Sequence, residues 1–378
     1  MMGQMLENPC YDVNLTYEEN YRRGPFGRFA EILKRHDSRY SSDDEEHNGE
    51  ARKVRVEQSS FMGFAVNKPF GIPAGPLLNS HFTDAAFRLG FDMCTYKTVR
   101  SRAWACNPFP NVLAIHPKTS TGFITAGSPE IKEGLLADTR YQEPLSISNS
   151  FGVPSQDPDV WQPDMQHAMQ HAGFGQLLIP SFQGSRITGM STAEYVQDHV
   201  IAAKLIMETG AKLVEMNTSC PNEGPGSLLC DNPDLVGEIC EAVKDQIGDV
   251  PFMIKLAYIP DDSTLQHMLD VTVGRGSVQG IVAINTISAR LVDSRGNQAL
   301  PGVGRERSGV CGHAILQSGL DMVSRLDGIR KRSEYNFSII GVGGVANADD
   351  YRNYRSRGAD AVQAATAAIW NPNLAASL

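Results

Sequence analysis

The stretch Lys212 to Gly226, KLVEMNTSCPNEGPG, places a thiol where a strand breaks into a loop rich in glycine and proline. Leu213, Val214 and Met216 make the strand apolar, while Glu215 and Asn217, two apart, share a face that must be polar or functional. Cys220 follows, and Gly224, Pro225 and Gly226 forbid an immediate helix. A cysteine at such a strand end can move a proton or attack a substrate once a neighbouring cation favours its thiolate. The alternative is a small buried hydrophobe, the fate of most free cysteines. Six further residues fall at the ends of apolar runs: Lys97, Asn217, Asn222, Lys255, Asn285 and Thr286. Lys97 and Lys255 each interrupt such a run, and a buried ammonium requires an anion, either a ligand or internally Glu215.

These residues converge only if the runs are the strands of one sheet. From Pro69 onward short apolar runs ending in Gly, Ser, Thr or Asn alternate with helical stretches, the pattern of repeated βα units. There are nine: Phe70 to Gly75, Met93 to Val99, Leu145 to Ser150, Gln176 to Phe182, Lys212 to Ser219, Pro251 to Ala257, Gly280 to Ile287, Phe337 to Gly344 and Ala361 to Ala368. An (β/α)8 TIM barrel needs one fewer, and LSISNS (Leu145 to Ser150) is the one to remove, since no helix separates it from the run before it. It belongs instead to an excursion over the barrel mouth, together with the Pro-, Gly- and Thr-rich stretch between Val99 and Leu145. In such a barrel the strand ends gather Lys97, the asparagines, Cys220 and Lys255 around one site. Asparagine offers donor and acceptor together and suits the imide edge of a pyrimidine or flavin, although a single Asn at a strand end more often caps a turn. GVGG (Gly341 to Gly344) and AAT (Ala364 to Thr366) close the last two strands, where barrels of this kind hold a phosphate.

The first 60 residues read differently. Thr16 and Glu19 form a capping box for a short helix ending at Gly24 and Pro25, and Phe26, Phe29, Ile32 and Leu33 give a second helix an apolar stripe. The acidic run Ser41 to Glu50 reads as a solvated tether. The expected division is therefore an N-terminal extension, 1–60, and a catalytic barrel, 61–378. A net charge of −9 argues against a nucleic-acid surface, and the seven cysteines form no CxxC pair or metal-ligand spacing. No stretch approaches a membrane span, so a soluble cytoplasmic protein with a small-molecule substrate, no metal and no nucleic-acid partner is expected.

NTSCPN (Asn217 to Asn222), SNSFGVPS (Ser148 to Ser155), IKL (Ile254 to Leu256), INT (Ile284 to Thr286) and GVGG together resemble the dihydroorotate dehydrogenases, in consistent order over most of Phe70 to Ile369. The resemblance implies an FMN-containing barrel that oxidises dihydroorotate to orotate in pyrimidine synthesis. Cys220 matches the catalytic base, which takes the C5 proton while the C6 hydride leaves for flavin N5; a cysteine there marks the soluble branch of the family. Lys97, Asn149, Phe151, Gly152, Val153, Asn217, Asn222, Asn285 and Thr286 match substrate-binding positions. Ala74, Gly75, Lys97, Thr98, Asn217, Lys255, Ile284, Gly312, Gly343, Gly344, Ala365 and Thr366 match flavin contacts. The runner-up is a dihydrouracil-type dihydropyrimidine dehydrogenase on the same barrel, against which Lys97, a cation for the substrate carboxylate, argues.

Three features depart from the family pattern: a long stretch from Val99 to Leu145, the N-terminal extension, and only Ala367 to Leu378 after the final strand. The last leaves about three helical turns, so residues 16–36 are expected to cover the barrel beside its first and last strands, or a homodimer interface to bury the bare face.

Overall fold

A computed structural model describes residues 6, 8–37, 59–219 and 228–378. The acidic tether, Cys220 and Asn222 lie outside the described residues. Eight parallel strands close a barrel: β1 (Phe70–Ile72), β2 (Met93–Thr95), β3 (Leu177–Ile179 continuing as Ser181–Phe182), β4 (Val214–Asn217), β5 (Phe252–Leu256), β6 (Gly280–Ala283), β7 (Ser338–Val342) and β8 (Ala361–Gln363). Pro180 has no N–H to give the ladder, so β3 is paired in two pieces, the first with β2 and the second with β4. Paired on both sides, β3 closes the ring.

Two short helices, α1 (Tyr17–Arg23) and α2 (Gly27–Asp37), precede the barrel, and α3 (Ser80–Arg88) follows β1. Then α4 (Pro158–Gln170) leads into β3, α5 (Thr192–Glu208) into β4, α6 (Pro233–Ile247) into β5 and α7 (Asp262–Thr272) into β6. α8 (Leu316–Arg332), α9 (Ala348–Ser356) and the five-residue α10 (Thr366–Trp370) complete the series. The strands are buried on both faces, which is why they read as nearly continuous apolar runs. Met93, Ile179, Met253, Val282 and Ile340 fill the barrel's lower interior against a hairpin, Ser59–Phe61 and Phe64–Val66, whose Phe61 and Val66 plug that end. Met62 (φ 48°) and Gly63 (φ 87°) make its two-residue turn, both in the positive-φ region that such a hairpin demands.

The stretch between Val99 and Leu145 is more ordered than a simple cover. Strands Ala114–His116, Leu135–Asp138 and Ser146–Asn149 join Ile287–Val292 and Arg307–Gly312 in a second, five-stranded closed sheet. It is built from the excursions after β2 and β6, and LSISNS lies in it rather than in the barrel.

The amphipathic stripe of α2 finds its partner. Phe29 is buried on Phe91, which itself lies against Phe70 of β1, while Arg88 at the end of α3 donates to the Leu33 carbonyl. Burying a phenyl side chain this way is worth about 1.5–3 kcal/mol. α1 carries the expected capping box between Thr16 and Glu19, and the Cys10 N–H donates to the Ile369 carbonyl of α10. The extension thus packs between the first barrel helix and the short last one. No described helix is long and apolar enough to cross a membrane.

Candidate active site

At the carboxyl ends of the strands lies a cavity of about 830 Å³, within the range that encloses a cofactor-sized ligand. Parallel pairing sets Asn217 at the end of β4 beside Lys255 of β5. The Asn217 amide donates to Gln183 Oε1 (2.6 Å), and its carbonyl oxygen accepts from Asn285 Nδ2 (3.1 Å). Asn285 also donates to the Ser219 carbonyl (2.5 Å) and accepts from the Thr286 N–H (2.9 Å). The two asparagines are therefore locked to one another, with their remaining surface on the cavity. Thr218 and Ser219 hydroxyls both donate to the Lys255 carbonyl, anchoring the chain just before Cys220.

Electrostatically the centre is a buried cation with a buried carboxylate beneath it. Burial pushes the Lys255 ammonium below the usual lysine range, and Glu215 opposes that shift. Burial likewise raises Glu215, with Lys255 and a hydrogen bond from Ser181 opposing. Glu215 accepts from Ser181 Oγ (3.1 Å), Ser181 meets Thr98 Oγ1 (3.0 Å), and Glu215 Oε2 is buried with no partner. Lys255 and Glu215 thus influence one another through charge across the site, without an ion pair within 4.0 Å. Lys97, also on the cavity wall, donates to the Thr98 carbonyl (3.2 Å).

The second wall comes from the excursion. Asn149, Phe151 and Val153 line the cavity; Gly152 does not, because it turns (φ 76°) behind the wall where a Cβ would meet Asn107 at 2.8 Å. Arg100, fully buried, holds this turn: its Nε donates to the Val153 carbonyl (3.0 Å) and its Nη1 to the Gly184 carbonyl (2.9 Å). Arg305 donates to the Pro108 and Pro301 carbonyls and to Ser150 Oγ (2.8 Å). Tyr11 and Tyr17 of the extension stand edge-on to Phe151, with centroids 5.7 and 6.4 Å away, and line the same cavity.

The opposite end is bare backbone. Gly343 and Gly344 take φ of 127° and 75°, and a Cβ on Gly344 would lie 2.6 Å from that of Leu316. Gly312 is as constrained, since its Cβ would strike the Leu145 carbonyl at 2.3 Å. Ala74, Gly75, Ile284, Ala365 and Thr366 join these on the wall. A flavin fits the donor set: a close-approach glycine turn for its phosphate, a buried ammonium for its ring, and a Thr286 hydroxyl that is buried without a partner. Every expected site residue among those described reaches the cavity except Gly152. Missed by sequence reasoning were Tyr11, Tyr17, Gln183, Arg100, Arg305 and Cys311, a cavity-lining thiol that burial pushes up to about 11. Their partners lie far off in the chain, and no local pattern in the sequence marks them.

A parallel eight-stranded barrel whose strand ends carry a lysine, paired asparagines and a bare glycine turn around one cavity has the build of a barrel enzyme. A sequence model of the dihydroorotate dehydrogenase family matches residues 56–377, and the chain belongs to that family. It is 31% identical to a dihydroorotate dehydrogenase of Dictyostelium discoideum over 98% of this chain and 96% of that protein. It is 32% identical to a dihydroorotate dehydrogenase B (NAD(+)) catalytic subunit of Methanocaldococcus jannaschii, over 57% of this chain and 64% of that one. Its fold is also that of a dihydroorotate dehydrogenase of Eimeria tenella crystallised with ferulenol, with TM-score 0.66 and 16% identity, covering 92% of this chain and 88% of that one.

Proposed function

We propose that the chain oxidises dihydroorotate to orotate in pyrimidine synthesis with FMN as its resident flavin and Cys220 as base. The observation that carries this reading is one cavity lined both by Lys97, Asn149, Asn217 and Asn285 and by the Gly343–Gly344 turn, in a chain of this family. When bound, FMN supplies the acceptor for the ring hydride. Lys97 pairs with the substrate carboxylate, the feature that separates dihydroorotate from dihydrouracil. Asn149, Asn217 and Asn285, with Asn222 and Thr286, hold the ring's amide edges, and the Asn217–Asn285 bond fixes which way each amide faces. Cys220, as the thiolate, takes the C5 proton onto its sulfur and becomes neutral, and Lys255 at the end of the strand beside Asn217 would stabilise the negative charge that the reduced flavin acquires.

Anaerobic titration tests this. Dihydroorotate is expected to bleach the bound flavin; bleaching by dihydrouracil and not by dihydroorotate would favour the dihydropyrimidine alternative. Cys220→Ser is expected to keep the flavin and slow its reduction about 10²- to 10⁴-fold near neutral pH, because a hydroxyl is a far weaker base. An unchanged rate would assign the proton to another group.

A further inference from the structure

Away from the cavity, helices α3 and α4 bring three metal-ligating side chains to one point: Asp84, His167 and His171, whose ligand atoms all lie within 4.8 Å of one another. We propose that this cluster is a binding site for a divalent transition cation of the imidazole-preferring class, zinc, cobalt or nickel, that braces α3 against α4. The HAMQH spacing is the part the sequence reading passed over, having sought ligand spacing among cysteines. His167 and His171, the residue that caps the end of α4, are four apart, so both imidazoles lie on one side of its last turn.

The geometry is close to what an ion needs. Zinc binds nitrogen and carboxylate oxygen at about 2.0–2.2 Å, so two donors of a tetrahedral site stand roughly 3.3–3.5 Å apart. His167 Nε2 already lies 3.5 Å from Asp84 Oδ2. The two imidazoles stack with centroids 3.8 Å apart, so one ring turns about its side-chain bonds to aim its nitrogen at a shared ion. His171 Nδ1 lies 2.8 Å from the His167 carbonyl. A carbonyl can only accept, so that nitrogen carries the hydrogen and Nε2 keeps its lone pair for a metal, the outer hydrogen bond that orients most ligating histidines.

The independent sign of a missing ligand is on the carboxylate. Asp84 is only 9% exposed, and its Oδ1 is buried with no hydrogen-bond partner. A buried orphan acceptor of this kind calls for an ion or a water. One turn away the same two helices are already tied, Asp164 of α4 accepting from the Ser80 N–H (2.8 Å) and hydroxyl (2.6 Å). A metal would add a second rung where no such bond exists for Asp84 Oδ1.

Titration of the flavin-loaded full chain with zinc chloride, after removal of trace metal by a chelator, tests the site by calorimetry. One equivalent is expected to bind and to raise the melting temperature, while magnesium does neither. His171→Ala and Asp84→Asn are each expected to weaken zinc binding about tenfold or more and to abolish the zinc-induced rise, with flavin content unchanged. Absence of saturable binding, or zinc affinity equal in both variants and the parent, would overturn the proposal.

Discussion

Replacing Lys255 by methionine removes the cation that sits beside the most deeply buried carboxylate of the site. Glu215 is fully buried, accepts one hydrogen bond from Ser181 and leaves Oε2 without a donor, so Lys255 is its main compensation. Removing Lys255 lets burial push the Glu215 carboxyl up further, and each unit of that further rise costs about 1.4 kcal/mol where the carboxylate is ionised. Glu215→Gln alone should cost less, since Lys255 lines the cavity and meets solvent or an anion there. The double variant, Lys255→Met with Glu215→Gln, should be more stable than Lys255→Met by at least about 1 kcal/mol, a coupling typical of residues in one electrostatic network. Urea unfolding at a fixed excess of flavin measures all four states on one scale, since ligand binding otherwise adds to apparent stability. The pH dependence has a defined sign. Burial raises Glu215 in the folded chain, so the folded state keeps its proton to higher pH than the unfolded state, and stability falls as pH rises from the ordinary carboxylate range through the folded value. Without Lys255 the folded value rises further and the fall extends to higher pH, so the deficit of Lys255→Met should be larger at about pH 8 than at about pH 5. Additivity of the two substitutions to within about 0.5 kcal/mol, or a deficit independent of pH, would refute the pairing.

Two other perturbations probe what supports the site. Arg100→Met strips the charged donor from the Val153 and Gly184 carbonyls; with such bonds worth about 1.5–3 kcal/mol, the KM for dihydroorotate should rise about tenfold or more while flavin stays bound, and an unchanged KM would detach Arg100 from substrate positioning. His199 on α5 is completely buried and held neutral down to about 4, by burial first, so the unfolded chain binds a proton that the folded chain refuses. Stability should therefore fall by roughly 3 kcal/mol as pH drops from about 6.5 to about 4, and His199→Gln should flatten that limb of the denaturation profile.

The barrel was legible because its signal is local. Each strand is a short run buried on both faces, and eight of the nine runs between Phe70 and Ala368 are barrel strands. LSISNS could be set aside on the same grounds, since a barrel strand must be preceded by a crossover that the chain before it does not contain. The capping box at Thr16 is equally local, its partners three residues apart. The second sheet escaped notice because its strands come from two excursions well over a hundred residues apart. Their pairing is decided by the barrel that carries both, not by their own composition.

The same distinction divides the candidate site. Lys97, Asn217, Lys255 and Asn285 announce themselves because a polar residue ending an apolar run is costly to bury without a purpose. Gln183, Arg100 and Arg305 carry no such mark, although they determine where the marked residues point. Gln183 holds Asn217 across 34 residues, Arg100 holds Gly184 across 84, and Arg305 reaches Pro108 across 197. Tyr11 and Tyr17 extend the point to the N-terminal arm, whose rings meet Phe151 at the cavity wall. A side chain that binds ligand can be read from the cost of its position in a strand; one that orients it becomes visible only when the fold supplies its partner.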